Sequence, residues 1–145
     1  MSEAIDAIEV IEARQVIEVA IVRFAALRRS EVDVARLRSL VLGMRQSKTE
    51  PVAFAEFDFA LHLTLSRAAD NALLAARLVA FHPAMQEMMN GFASRAMAEG
   101  RIEALVESHA QLVEAIRERD CHEATRVFSD MMAALRIESG RCQPQ

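Results

Sequence analysis

Tryptophan and tyrosine are absent from this chain of 145 residues, which holds only four glycines, three prolines and two cysteines. So few glycines and prolines leave little material for a turn-rich β-sandwich or a low-complexity linker. Cys121 and Cys142 are too few for a disulfide framework, and their spacing fits no zinc ribbon. Long apolar runs are missing as well. The most apolar stretch, "VIEVAIVRFAAL", is interrupted by Glu18 and Arg23, and nothing approaches the ~18 residues a membrane span requires. The opening "MSEAIDAIEVIE" carries acids where a secretory signal needs a basic region, so a reducing cytoplasm is the expected setting. Positive charge is also in deficit, with 17 lysines and arginines against 21 acids and a net charge of −4. A nucleic-acid surface needs a basic patch that releases phosphate counterions, and the Arg28–Arg29 pair sits among acids as a solvated face. Direct nucleic-acid binding by this chain is therefore not expected.

What remains is helical. Ile, Val, Leu and Ala recur at spacings of three and four rather than alternating, which predicts an all-α fold. One domain is expected over residues 1–145: a single antiparallel bundle of six or seven helices. A first helix over about 4–29 is apolar around more than half its circumference and should be central. Ser30 with Asp33 reads as the cap of a second, to about 46. "SKTEP" is a loop, with Thr49 or Glu50 capping and Pro51 in the first turn of a third helix ending near 69. Asp70 and Asn71 cap "ALLAARLVAF". Pro83 should break that helix, leaving 83–100 as a broken helical segment. A further helix spans about 101–119, and Asp120 with Glu123 caps the last, which fades by 140.

Polar groups on apolar stripes are the informative exceptions. In "FDFALHLTLSRAADNALL", Asp58 and His62 share a helix face with Phe54, Leu61 and Leu65. His109 lies on the stripe of Leu105, Leu112, Val113 and Ile116, and Arg14 lies between Val10 and Ile17. A buried titratable group costs several kcal/mol unless paired. One carboxylate and two imidazoles on two helices form a mixed nitrogen and oxygen set of the kind transition metals accept. A local Asp58–His62 ion pair and a snorkelling Arg14 are the plainer alternatives. His82 and His122 lie beside Pro83 and a helix cap and read as exposed; the Met-rich run from Met85 to Met97 reads as adaptable packing.

These segments resemble the FCD domain, the C-terminal effector-binding domain of FadR-type regulators in the GntR family. The likeness covers about residues 8–135. It rests on "IEARQVIEVAIVRFAA", on the D-x-x-x-H helix "FAEFDFALHLTLSRAADNALL", and on "ESHAQLVEAIRERDCHEA". It implies a metal in the bundle held by an aspartate, a histidine four residues later and two further histidines. Asp58, His62 and His109 match the first three positions, and Met131 stands where the last histidine is expected. A thioether is a poor ligand for the harder divalent ions, so three protein ligands remain for Zn, Ni or Mn. Ser108 replaces the glutamate that often precedes the helix histidine. The winged helix-turn-helix with which such regulators begin has no counterpart here, so the expected organisation is one effector domain without a DNA-binding domain.

The resemblance implies an effector-binding and dimerisation domain that senses a small organic carboxylate beside the metal, with Arg14 as the carboxylate's partner. Ligand-facing residues are expected to include Arg14, Met131, Phe54 and Leu105, with Leu61, Leu65, Leu112 and Val127 completing the walls. An enzyme is not expected: there is no Glu-x-x-His pair of a di-iron bundle and no serine or cysteine nucleophile with a nearby base. A free-standing helical interaction module with a degenerate pocket is the competing reading. Two-fold self-association is expected from the apolar surface of the first helix and the Met-rich segment.

Overall fold

In the computed structural model, which describes residues 6–141, the periodicity resolves into seven α-helices, with no strand among the described residues. They are α1 (Ala7–Arg28), α2 (Glu31–Gln46), α3 (Pro51–Ala68), α4 (Ala72–Ala80), α5 (His82–Ala98), α6 (Ile102–Arg117) and α7 (Cys121–Arg141). The first turn expected around residue 4 lies partly outside the described residues; the observed start is a capping box between Asp6 and Glu9. Ser30 and Asp33 form the same reciprocal box at α2. Asn71 caps α4 through the Leu74 amide, and the Asp120 carboxylate accepts from the Glu123 amide at α7.

The break expected at Pro83 is present, as the boundary between α4 and α5. The chain turns at Phe81, and Pro83 sits in the first turn of α5, where no intrahelical donor is required of it. The segment after it is one continuous helix to Ala98 rather than a broken one. Gly100 closes α5 at φ 71°, letting the Arg101 amide return 2.7 Å to the Ala96 carbonyl. Arg119 adopts the same left-handed conformation at φ 59° after α6 without being glycine. Its guanidinium offsets the strain by donating to the carbonyls of Leu27 and Arg29 at 2.9 and 3.2 Å, which ties the end of α6 to the end of α1.

α1 is central, packing against α3, α4, α5, α6 and α7. It buries Val10, Ile11, Ile21, Val22, Ala25 and Ala26, and along the same stripe it buries Arg14 and Glu18. α2 lies outside it, against α3 and α6. α2 and α3 approach closely where Gly43 faces the Phe57 ring: a methyl group on Gly43 would stand 2.4 Å from the ring edge.

Gly43→Ala should therefore destabilise the protein. Overpacking of about 1–3 kcal/mol outweighs the gain of up to about 1 kcal/mol in helix propensity. In a Phe57→Ala background the same change should be neutral or stabilising. Chemical denaturation of the four variants checks the sign reversal, and a Gly43→Ala variant as stable as the parent would refute the steric account.

Candidate metal centre

Three helices deliver five polar side chains to one point in the core. Arg14 and Glu18 come from α1, Asp58 and His62 from α3, and His109 from α6, and each is about 1% exposed. Arg14 and Glu18 are one turn apart, as are Asp58 and His62, so each helix presents its pair on one face. Arg14 Nε donates to Glu18 Oε2 at 2.6 Å. The other carboxylate oxygen, Oε1, lies 2.6 Å from His62 Nδ1, a short electrostatic contact that is out of line for a hydrogen bond. On the far side of the ring, His62 Nε2 is 3.3 Å from Asp58 Oδ1, and His109 Nε2 is 2.6 Å from the same oxygen.

The protonation logic of His109 follows from its partners. Its Nδ1 lies 2.8 Å from the Leu105 carbonyl, which can only accept, so Nδ1 carries a proton. Nε2 then directs a lone pair at a carboxylate oxygen unless a second proton or a cation lies between them. Asp58 Oδ2 is buried and has no hydrogen-bond partner. Ligand atoms of Asp58, His62 and His109 all lie within 4.8 Å of one another. Each histidine therefore has one nitrogen oriented by a protein oxygen, Glu18 for His62 and the Leu105 carbonyl for His109, while Nε2 points to the shared centre. That is how metal-binding imidazoles are held, and the donor set fits a divalent transition ion.

Burial opposes charge on every member, and partners overcome it. Burial would raise the Glu18 carboxyl, but the Arg14 guanidinium and then His62 bring it down to about 2. For Asp58, burial is likewise outweighed by His109 and His62, which hold it well below the usual carboxylate range. His62 is pushed up to about 9: burial would lower it, but the charges of Glu18 and Asp58 dominate.

Asp58, His62, His109 and Arg14, all foreseen in the sequence, thus meet in one cluster. Glu18 was missed. It was read as an interruption of an apolar run, although its place four residues after Arg14 was the available signal. Arg14 is consequently not a free cation, since Nε is committed to Glu18. Its Nη1 meets only the Met89 sulfur, at 4.0 Å. The cluster opens onto a cavity of about 20 Å³ shared with Met89, Phe92, Leu105 and Met131. Of the expected ligand-facing residues, Arg14, Leu105 and Met131 border it. Val127 borders a neighbouring cleft, and Phe54, Leu61, Leu65 and Leu112 are packed in the core. Phe54 is held away from the cavity because its place on α3 turns it into the general core. His82, as expected, is exposed, stacked on Phe59.

Two outcomes follow for the metal-free protein. Removing one member of the cluster strands the others, so Glu18→Ala should lower stability by about 3–5 kcal/mol. Arg14→Ala, a benign change for a snorkelling side chain, should also destabilise. With chelator present, stability should depend on pH through His62. Its folded value is raised, so its contribution is complete below 6.5 and lost as pH rises through about 9. Glu18 acts in the opposite sense: its contribution is complete above 4.5 and lost as pH falls toward 2. Denaturation at a series of pH values should show greatest stability near pH 5–6; a flat profile from pH 6.5 to 9 would contradict this.

Comparison with known proteins agrees with the fold. The family model of the FCD domain matches residues 9–134. Among solved structures, E. coli McbR/YncC superposes with a TM-score of 0.76 at 16% identity, over 93% of this chain and 68% of that one. A search of curated proteins returned no match. The bundle is thus shared with McbR/YncC at a distance where only fold can be inferred. The chain belongs to the FCD domain family, the all-helical domain of GntR-type transcription regulators.

Proposed function

We propose that this domain binds a divalent transition metal through Asp58, His62 and His109 and uses the ion, with Arg14, to sense a small organic carboxylate. The observation that carries the reading is the convergence of the three ligand side chains with Nε2 of both histidines on Asp58 Oδ1. Glu18 changes the charge balance expected from sequence. The ion and Arg14 supply three positive charges, and Asp58 and Glu18 remove two, so one positive charge remains to attract an anion. The ion's chemistry here is to accept oxygen donors; Arg14 orients them, and Glu18 fixes both Arg14 and His62.

Self-association belongs to the same reading. α4 buries only Leu78 and leaves Leu73 and Val79 68% and 51% exposed, apolar surface that a symmetric partner would cover. The Met-rich segment contributes less than expected, because Met85 and Met89 are buried in the core. No helix of the described residues is long and apolar enough to cross a membrane. A cytoplasmic location and action on DNA through a separate winged-helix domain are parts of the proposal.

Metal uptake must displace the proton that Glu18 and Asp58 hold on His62. Zn²⁺ affinity should therefore rise with pH up to about 9, with proton release measurable by calorimetry in buffers of different ionisation enthalpy. Asp58→Ala and His109→Ala should each weaken binding at least ten-fold, and Met131→His should strengthen it by supplying a fourth ligand. Absence of any thermal shift with Zn²⁺, Ni²⁺ or Mn²⁺, and no metal after chelator-free purification, would instead support a helical interaction module with a degenerate pocket.

A further inference from the structure

The chamber at the metal centre, about 20 Å³, has room for an ion or a single water but not for an organic effector. A second cavity of about 280 Å³ opens beside it, between α6 and α7. That volume corresponds to roughly nine water molecules, enough for a small organic chain. Phe92, Leu105 and Met131 border both spaces and form the partition between them. Two of the three are partly exposed, and Met131 is unbranched with three rotatable side-chain bonds, so it can move aside where a β-branched or ring side chain could not.

The cleft's chemistry is selective. Its uncharged lining is mostly apolar, from Ala104, Val127 and Ala134 with the partition residues, and Ser108 and Gln111 add two neutral polar groups. Its rim charges are already paired, Arg126 with Glu123 and Asp130, and Arg101 with Glu99 and Glu138. They leave no uncompensated cation to recruit a second anionic group. We infer that the effector is a monocarboxylate with an uncharged, mainly apolar tail: its head passes the Met131 partition to reach the metal centre and Arg14, and its tail occupies the cleft between α6 and α7. A dicarboxylate would place its second charge in a cleft whose arginines are already paired. The inference rests on the metal-and-carboxylate reading and narrows it.

The test uses the Zn²⁺-loaded protein and the straight-chain series acetate, butyrate and hexanoate, read by thermal shift and calorimetric Kd. Acetate should bind weakly, and affinity should rise about two- to four-fold per added methylene as tail surface is buried. Ala134→Phe fills the cleft from an exposed position of α7. It should keep the Zn²⁺ affinity and abolish the chain-length dependence. Ala104→Phe on the facing helix should do the same and guards against misfolding of the first variant. A flat series in the parent, or a slope unchanged in both phenylalanine variants, would overturn the inference while leaving carboxylate sensing intact. Failure of acetate and of every longer acid to bind would overturn the carboxylate reading itself.

Discussion

Everything in this bundle is arranged around one buried arginine and the carboxylate that neutralises it. Arg14 is among the largest fully buried side chains, and Glu18 one turn on bonds it through one oxygen and meets His62 with the other. Taking such charges out of water costs several kcal/mol each unless every partner is in place. Replacing the pair with apolar residues would be the simpler way to fill a helical core. Retaining it makes sense where the pair has another task. Here that task is visible in geometry: Glu18 joins the central helix to the α3 histidine, and Asp58 joins that histidine to the one on α6. The polar chain therefore crosses the core from α1 to α3 to α6.

The same arrangement explains what was legible in the sequence and what was not. Asp58, His62 and His109 stood out because α3 and α6 each bury one continuous apolar stripe, and a titratable group on such a stripe is conspicuous. α1 shows no single apolar face in the sequence, because Val16 and Leu27 are apolar yet exposed while Arg14 and Glu18 are charged yet buried. Periodicity then says nothing about which of Glu12, Arg14, Glu18 or Arg23 points inward, and only Arg14 and Glu18 do. Arg14 stands out only because Val10, Ile11 and Ile17 flank it at spacings of three and four; the remaining neighbour at that spacing is Glu18. Glu18 demanded the additional step that a buried arginine needs a carboxylate within reach. The cavity walls were misjudged for a related reason. A stripe shows that Phe54, Leu61, Leu65 and Leu112 face inward, but not whether they meet other side chains or empty space. That is decided by how α5 and α7 cross above them.

Helix boundaries were readable where capping chemistry is local, as at Ser30, Asn71 and Asp120, and less so at Pro83. Proline is equally compatible with a broken helix and with the first turn of a new one. The sequence around it, with His82 and Phe81 preceding, does not separate the two. The structure does, and the result matters for the site: an uninterrupted α5 carries Met89 and Phe92 to the cavity on one face.

Met131 is where these threads meet. Asp58, His62 and His109 approach the proposed ion from α3 and α6, and α7 offers a thioether in place of an imidazole. A fourth protein ligand from α7 would close the centre on that side. Methionine instead leaves it open toward α7, the helix that also forms one wall of the outer cleft. An ion bound there would keep its exchangeable positions facing the one direction from which an organic ligand can arrive. On this reading the missing histidine is less a decayed site than a relocated one, with the fourth ligand supplied by the effector. A carboxylate bound to the ion with its tail in the cleft would touch α6 and α7 at once. Any arrangement of a dimer that favours that occupied form would then be favoured by the effector to the extent of its differential affinity, and no further.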